Sequence, residues 1–348
     1  MPADSARFYK LGIIGWPLGY SLSPLMHAAA LKAAGLQGEY KEYPVKLEDL
    51  EGWLRTEAPK LDGFNVTMPH KKDVFDWLQG DGLMWPKKSG WVAYPKYIQA
   101  IGAVNTVILG GDRPIGCNTD GYGFLETLVG PPHSLDLTGW NVIVLGSGGA
   151  GWAVAATLLW ETLVSRLTVW CRTPRSFKAV VLKAGMLGIG FGSFEEELER
   201  IKLQTRGRVD PAAARVFEKL KEQRFRGSRR LKADIRDVVK VEKDLELLPF
   251  QECNLLVNAT PVGMEDPVAS LVDSGKLHKG QVVYDLVYRP KETALIRMAR
   301  EAGCQVITGD EMLAAQGAAS FEIWTGVPAA KVLPAMKKAL DDHFKHAS

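Results

Sequence analysis

The stretch GFNVTMPHKKDV, residues 63–74, places polar side chains and two adjacent lysines at the end of a run rich in β-branched residues. Asn65 and Thr67 are two positions apart, so on an extended strand both side chains leave the same face. A proline ends the run, and Lys71 and Lys72 follow it. Two interpretations are open: a solvated turn, or a pocket in which one lysine transfers a proton while Asn65 and Thr67 bind a polyol.

Further hydrogen-bonding groups occur in three other short segments. Ser21 and Ser23 flank one residue in PLGYSLSP, so in an extended segment both hydroxyls face the same way. Taken alone, Ser23 is also a typical N-cap before a proline. Asn105 lies in AVNTV and Asp120 in CNTDGYGF. A carboxylated ring with several hydroxyls needs many neutral donors and one group that transfers a proton, and this set supplies both.

A glycine-rich segment indicates a dinucleotide-binding turn. Gly146, Gly148 and Gly151 form G-x-G-x-x-G directly after an apolar, β-branched run and before a helix-forming stretch. The first glycine allows a tight turn and the second lets the backbone approach a pyrophosphate. The third lets the helix pack closely, with its N-terminal amides toward the phosphates. This strand–turn–helix context favours dinucleotide binding over a purely structural turn.

The residues after the next predicted strand favour NADP over NAD. An NAD site places a carboxylate there, which binds the ribose 2′-hydroxyl. This chain has WCRTPRS instead, with Arg172, Thr173 and Arg175 and no carboxylate. Guanidinium groups bind a 2′-phosphate through bidentate, charge-assisted hydrogen bonds. The alternative interpretation is an exposed basic loop.

The elements that must carry these groups alternate between strand and helix, which predicts an α/β layered fold. Strands are predicted over residues 9–15, 39–45, 61–68, 103–109, 140–145, 166–173, 254–260, 281–288 and 304–308. Helices are predicted from Ser23 to near Gly35, over 47–58 and 71–78, from near Asp120, after Gly151, and over 294–303, 311–326 and 329–344. Residues 79–98 are predicted to form an ordered aromatic loop, and residues 195–245 a charged helical segment.

Length and charge bound the class of protein. A chain of 348 residues exceeds the size at which one core stops growing, so two domains are expected. A formal net charge of +3 is too small to imply a nucleic-acid or membrane partner. The basic excess lies in residues 199–244, with 15 Lys/Arg against 8 Asp/Glu. That segment is interpreted as a solvated helical excursion, with a partner-binding or oligomer-forming role as the alternative.

Cysteine usage and hydropathy predict a reduced, cytoplasmic protein. The four cysteines are far apart and have no CxxC or Cys/His ligand spacing, which argues against a zinc site and a disulfide framework. The N-terminus has no apolar run typical of a signal peptide. No stretch approaches the roughly 20 apolar residues of a membrane span. We expect the protein to bind a small-molecule substrate and to be a monomer or a homodimer.

Motifs in order from about residue 12 to 325 resemble those of the shikimate dehydrogenase family. They are PLGYSLSP, GFNVTMPHK, IGAVNT, NTDGYGF, GSGGAG, NATPVGM, YDLVY and GDEMLAAQ. The resemblance implies NADP-dependent, reversible reduction of 3-dehydroshikimate to shikimate in aromatic amino acid (chorismate) biosynthesis. It also implies two α/β domains around a cleft, with a Rossmann-type NADP domain inserted in a substrate-binding domain. The expected boundaries are 1–118 for the substrate domain, 119–310 for the NADP domain and 311–348 for helices that return to the substrate domain.

The resemblance also assigns roles to individual residues. Lys71 and Asp120 match the catalytic pair. The substrate-binding positions match Ser21, Ser23, Asn65, Thr67, Asn105 and Gln316, and Tyr288 matches a tyrosine that lines the pocket. The cofactor positions match Gly146, Ser147, Gly148, Gly149, Ala150, Gly151, Arg172, Thr173 and Arg175, with Thr260, Gly309 and Met312 near the nicotinamide end.

This sequence departs from the family pattern at two single positions and in two longer segments. Tyr20 replaces a histidine before Ser21, and Cys171 stands where an asparagine is common. The aromatic loop at 80–97 and the charged segment before Cys253 are longer than usual. Two alternatives to a shikimate dehydrogenase are therefore kept. One is a quinate/shikimate dehydrogenase, and the other is a non-catalytic NADP-binding regulator on the same scaffold.

Overall fold

The computed structural model of the chain describes residues 7–19, 21–79, 101–109, 114–162, 164–172 and 238–347. These residues divide into two compact units. The first contains the described residues up to Thr119 and those from Ala314 onward, and the second contains the described residues between Asp120 and Leu313.

Strands and helices alternate along the described residues. The strands are β1 (Phe8–Gly15), β2 (Gln37–Pro44), β3 (Gly63–Val66), β4 (Thr106–Ile108), β5 (Ile115–Cys117), β6 (Asn141–Leu145), β7 (Arg166–Trp170), β8 (Val239–Glu242), β9 (Leu255–Asn258), β10 (Val282–Asp285) and β11 (Gln305–Thr308). The helices are α1 (Ser23–Ala34), α2 (Leu50–Thr56), α3 (Lys71–Gln79), α4 (Asp120–Val129), α5 (Gly149–Glu161), α6 (Ala294–Glu301), α7 (Gly309–Thr325) and α8 (Ala329–Ala347). Single 3₁₀ turns lie at Leu47–Asp49, Ala58–Lys60, Leu245–Leu247, Phe250–Glu252 and Ser274–Lys276.

The first unit is built on a five-stranded sheet in the order β2-β1-β3-β4-β5. β1 runs parallel to β2 and β3, whereas β4 and β5 add antiparallel strands. Ile14, Phe64 and Val107 of the central strands form one core with Val74 of α3. α1 ends where predicted, because Gly35 adopts a left-handed conformation and its amide closes the last turn.

The second unit is a six-stranded parallel sheet in the order β11-β10-β9-β6-β7-β8. Counted from β6, the order is that of a doubly wound Rossmann sheet, with its switch point between β6 and β9. Successive side chains of β6 point to opposite faces of the sheet, as in any β-strand. Val142 and Val144 pack in the core that includes Phe124 of α4, and Ile143 and Leu145 in the core that includes Leu295 of α6.

The predicted α/β fold is confirmed, with two differences in its elements. Residues 239–242 form the edge strand β8, so the predicted helix over 195–245 is wrong at its C-terminal end. Its register with β7 places Val239 and Val241 opposite Leu167 and Val169. This pairing makes the segment a strand, although its many charged residues suggested a helix. β5 was not predicted, because a three-residue strand carries too little pattern. Residues 80–100 and 173–237 lie outside the described part. None of the helices within that part is long and apolar enough to cross a membrane.

Candidate active site

The turn that leads from β3 to α3 presents Lys71. The His70 amide donates to the Thr67 carbonyl at 3.0 Å, and the Lys71 carbonyl accepts from the Val104 amide at 3.0 Å. His70 is buried, and its Nε2 donates to the Val45 carbonyl at 2.6 Å. Lys71 is the first residue of α3 and is partly buried. The backbone on both sides of Lys71 is therefore tied to the rest of the sheet.

The two adjacent lysines are not equivalent. Lys72 is exposed and forms an ion pair with Asp76, one turn further along α3. Lys71 lies on a more buried part of the same turn, directly after the segment that contains Thr67. Of the two, Lys71 is therefore the candidate for proton transfer.

Asn65 is buried on β3 in a network of protein hydrogen bonds. Its Oδ1 accepts from the Tyr40 hydroxyl at 2.7 Å. Its Nδ2 faces the Asn105 carbonyl, the Thr106 hydroxyl and the Ser320 hydroxyl at 3.1, 3.2 and 3.1 Å. Since an amide nitrogen has two hydrogens, both are directed at protein acceptors. The network therefore fixes the orientation of the amide.

Asn105 and Gln316 meet in the same unit, at Thr119. The Asn105 Oδ1 accepts from the Thr119 amide at 2.8 Å, and its Nδ2 donates to the Thr119 hydroxyl at 3.0 Å. The same Nδ2 lies 3.4 Å from Oε1 of Gln316, which projects from α7. The structure thus brings Asn65, Asn105 and Gln316 together through hydroxyl groups.

Sequence reasoning missed the serine at the centre of this network. The Ser320 hydroxyl is buried and lies 2.8 Å from the Thr106 hydroxyl and 3.1 Å from the Thr119 hydroxyl. One signal was available, because Ser320 is four residues after Gln316 and so lies on the same face of α7. Its partners on β4 and before α4 could not be inferred from spacing.

The predicted start of a helix at Ser23 is confirmed, because Ser23 is the first residue of α1. Ser21 and Ser23 therefore do not share an extended segment, and the Ser23 amide donates to the Ser21 hydroxyl at 3.2 Å. Pro24 favours this early start, since its fixed φ suits the first turn of a helix. The N-cap position belongs to Leu22 and has no side-chain capping bond, so the N-cap interpretation of Ser23 is also wrong. Tyr20 lies outside the described residues.

The glycine-rich turn follows β6 in the second unit. Gly146 has φ of 107°, a conformation that favours glycine. A Cβ at Gly146 would lie 2.9 Å from the Thr260 methyl, and one at Gly151 would overlap the Gly146 carbonyl. Gly148 is exposed, and a Cβ there would meet no atom within 4 Å. Two glycines thus close the turn, and the third leaves the open backbone surface that a pyrophosphate needs.

The other cofactor candidates follow the carboxyl ends of parallel strands. These ends meet at one edge of the sheet, which is where such sheets bind ligands. Arg172 is exposed two residues after β7, Thr260 follows β9, and Gly309 follows β11 at the start of α7. Ser147, Gly149 and Ala150 are partly exposed at the start of α5, and Met312 is buried in the first turn of α7. Thr173 and Arg175 lie outside the described residues.

Two further candidates belong to the second unit. Asp120 is buried at the first position of α4, where the positive end of the helix dipole stabilises a carboxylate. Tyr288 is partly buried, three residues after β10.

β10 ends in a buried carboxyl group that the sequence did not single out. Asp285 has no exposed surface, and burial raises its pKa to about 6. At pH values between 3.8, the pKa of this group in the unfolded chain, and about 6, the folded state keeps a proton that the unfolded state has released. The free energy of unfolding therefore falls as pH rises through this range. We expect the unfolding free energy of the wild type, relative to Asp285→Asn, to fall by up to about 3 kcal/mol between pH 4 and 6.

Chemical denaturation of both proteins at a series of pH values measures this difference. A difference that stays constant or rises with pH over that range would contradict the expected burial of an ionisable group at this position.

The strand order and the glycine-rich turn of the second unit define a Rossmann-type dinucleotide-binding protein, whose first unit is rich in buried amide and hydroxyl groups. Residues 13–81 match the model of the shikimate dehydrogenase substrate binding domain, and residues 309–340 that of the shikimate 5'-dehydrogenase C-terminal domain. A shikimate dehydrogenase (NADP(+)) from Thermus thermophilus is 34% identical over 321 residues, which cover 91% of this chain and 93% of the relative. The chain belongs to the shikimate dehydrogenase family.

Solved structures show the same likeness over nearly the whole chain. A shikimate dehydrogenase in complex with NADP+ superposes with a TM-score of 0.72 at 28% identity, covering 99% of this chain and 98% of that one. A shikimate 5-dehydrogenase from Thermus thermophilus, in complex with NADP(H) and shikimate, gives a TM-score of 0.67 at 32% identity. This second match covers 95% of this chain and 99% of that one.

Proposed function

We propose that this chain catalyses the NADP-dependent, reversible reduction of 3-dehydroshikimate to shikimate, a step of aromatic amino acid biosynthesis. The observation that carries the proposal is the 34% identity to an NADP-dependent shikimate dehydrogenase across 91% of the chain. The motifs that carry chemistry lie within the matched length. The substrate-binding domain model covers Ser21, Ser23, Asn65, Thr67 and Lys71, and the C-terminal model covers Gln316.

The second unit supplies the residues for the dinucleotide. Gly146, Gly148 and Gly151 would hold the pyrophosphate against the N-terminus of α5, whose amides point toward negative charge. Arg172 would bind the 2′-phosphate of the adenosine ribose. When bound, NADP(H) would supply the hydride transfer to and from the ring carbon of the substrate. The chain itself must bind, orient and exchange a proton with the substrate.

Lys71 performs the proton transfer in this proposal. Reduction of the ring carbonyl leaves negative charge on its oxygen, so a proton donor must stand within hydrogen-bonding reach. The Lys71 ammonium stabilises that charge and delivers the proton. In the oxidation direction, neutral Lys71 takes the proton from the hydroxyl group. By its match to the family's catalytic pair, Asp120 is the second catalytic residue in this proposal.

Ser21, Ser23, Thr67, Asn105 and Gln316 bind the substrate ring in this proposal. Tyr288 is included because it matches the tyrosine that lines the pocket in the family. Asn65 is a further substrate-binding residue in this proposal, and its hydrogen bonds to the Asn105 carbonyl and to the Thr106 and Ser320 hydroxyls hold it beside Asn105. The hydroxyl groups of Thr106, Thr119 and Ser320 support the same arrangement.

Arg172 gives the proposal a test of cofactor choice. Arg172→Asp removes a charge-assisted contact with the 2′-phosphate and adds repulsion, so KM for NADPH should rise about 10- to 100-fold while that for NADH falls. Steady-state rates with each cofactor measure both constants. Arg166→Asp makes the same charge change at the opposite end of β7 and should leave both KM values unchanged. An unaltered KM for NADPH in Arg172→Asp would remove the assignment of Arg172.

The activity itself is tested by identifying the product. The enzyme is incubated with 3-dehydroshikimate and NADPH, and the reduced ring is identified by NMR. Shikimate, formed in equal amount to the NADPH consumed, is the expected result. NADPH binding without turnover would favour a non-catalytic regulator on this scaffold.

A further inference from the structure

The carboxyl group of Asp285 lies at the edge of the sheet that holds the cofactor candidates. Asp285 is the last residue of β10, paired with Asn258 at the end of β9 and with Thr308 at the end of β11. Its Oδ1 accepts from Asn258 Nδ2 at 2.9 Å and from the Val287 amide at 3.0 Å. Its Oδ2 accepts from the Thr293 hydroxyl at 2.7 Å. Three donors converge on this group, which suits an ionised carboxylate because it only accepts.

This carboxylate is one of the groups that fix which way the Asn258 amide points. Because a carboxylate oxygen only accepts, the nitrogen of Asn258 must face Asp285, where its second hydrogen reaches the Val262 carbonyl at 3.2 Å. The oxygen of Asn258 then faces Thr260 and accepts from its amide at 3.1 Å and its hydroxyl at 2.7 Å. The Thr260 hydroxyl in turn accepts from the Val262 amide at 3.2 Å. The turn 258–262 is thus held by one correctly oriented side chain.

The turn 258–262 forms one wall of the glycine-rich turn. The Cβ position of Gly146 is 2.9 Å from both the Thr260 methyl and the Ala259 carbonyl, and that of Gly151 is 3.5 Å from the Ala259 Cβ. Because Thr260 and Ala259 fill the space beside Gly146, we expect a rotation of Asn258 that shifts Thr260 to move the backbone that faces the pyrophosphate. The chain of contacts runs from Asp285 through Asn258 and Thr260 to Gly146.

We propose that Asp285 is a positioning residue for NADP, which acts by holding the Asn258 amide in the orientation that seats Thr260 against Gly146. The inference rests on the proposed function for its ligand. It adds a role for Asp285 and Asn258, neither of which would touch the cofactor. The pKa of about 6, raised by burial, leaves the carboxyl ionised at neutral pH, as an acceptor of three hydrogen bonds must be.

The second branch of the network supplies a matched control. Thr293 caps α6 by accepting from the Ile296 amide at 3.3 Å, and it donates to the other oxygen of Asp285. Thr293→Val therefore loosens the helix cap and removes one bond of Asp285 without touching Asn258. Asp285→Asn can keep an oxygen toward Asn258 and Val287 and is the conservative variant. Asp285→Ala removes the acceptor altogether.

The experiment compares NADPH dissociation constants, measured by NADPH fluorescence, with melting temperatures. Asp285→Ala should raise the Kd for NADPH about tenfold or more, since the freed amide of Asn258 loses a charged partner. Asp285→Asn should stay within about threefold of the wild type. Thr293→Val should lower the melting temperature and leave the Kd unchanged. Wild-type Kd in a folded Asp285→Ala, or an equal loss in Thr293→Val, would overturn the proposal.

Asn258→Ala tests the proposal if Asp285→Ala does not fold. Asn258→Ala removes the amide but leaves Asp285 with its bonds to Val287 and Thr293, and it should raise the NADPH Kd by a similar factor. Unchanged binding in this variant would overturn the proposal. Because direct binding is measured, a wild type that binds NADPH but does not turn over shikimate would refute only the proposed activity. A wild type that does not bind NADPH would overturn both.

Discussion

Lys71→Ala is expected to lower kcat for shikimate oxidation by about 100- to 10,000-fold, the range that one general acid–base group contributes. KM for shikimate should change by less than about threefold, because the lysine acts on the proton that moves in the transition state. Steady-state rates with shikimate and NADP measure both constants. The His70 amide is hydrogen-bonded to Thr67 and the Lys71 carbonyl to Val104, so the backbone of this turn is held in place. We therefore expect the loss of kcat to come from the missing lysine side chain and not from a displaced turn.

Lys72→Ala is the matched control for this prediction. It removes the same charge one residue further along, from a side chain that is exposed and paired with Asp76. Its kcat should stay within about twofold of the wild type, as for most surface substitutions. If Lys71→Ala raised KM and left kcat intact, Lys71 would be a binding residue and the proton would come from another group.

His27 is expected to make the protein sensitive to acid. It is fully buried on α1 and stacked on Tyr40, with ring centroids 4.2 Å apart. Burial lowers its pKa from 6.5 to about 3. Between these values the unfolded state binds the proton and the folded state does not. The unfolding free energy therefore decreases as pH falls, by up to about 5 kcal/mol at pH 3.

His27→Phe keeps an aromatic ring on Tyr40 and removes the titrating group. Its unfolding free energy, measured by urea denaturation from pH 7 to 3, should lack this component. Tight packing around the ring costs the variant about 1–3 kcal/mol at pH 7, so the slope with pH is the informative quantity. His346→Gln, at an exposed position near the end of α8, should keep the wild-type slope. Equal slopes for His27→Phe and the wild type would contradict the account of His27.

Most of the second unit could be predicted from local sequence patterns. The apolar run before Gly146, the spacing of the three glycines and the following helix-forming stretch together specify one strand–turn–helix unit. Arg172 could be placed after the next strand because such units have a regular length. β8 could not, since its assignment as a strand depends on pairing with β7 across residues 173–237 rather than on its own charged composition.

The residues that support the site could not be predicted from the sequence, because their contacts also join residues that are far apart along the chain. Ser320 meets Thr106 across 214 positions and Asn65 across 255, and Asp285 meets Asn258 across 27. No local periodicity encodes such contacts. Asn258 and Asp285 lie in the motifs NATPVGM and YDLVY, but a motif does not say which of its residues meet across the sheet. The start of α1 at Ser23 was predictable from Pro24, and that start rules out the extended geometry in which Ser21 and Ser23 would face the same way.

The most direct measurement of the central claim is a set of four initial rates, with shikimate or quinate as substrate and NADP or NAD as cofactor. Shikimate with NADP should give the highest kcat/KM. The rates with NAD should be lower, because NAD has no 2′-phosphate for Arg172 to bind. Comparable rates with quinate would identify a quinate/shikimate dehydrogenase. An absence of turnover in all four combinations would contradict the proposed activity.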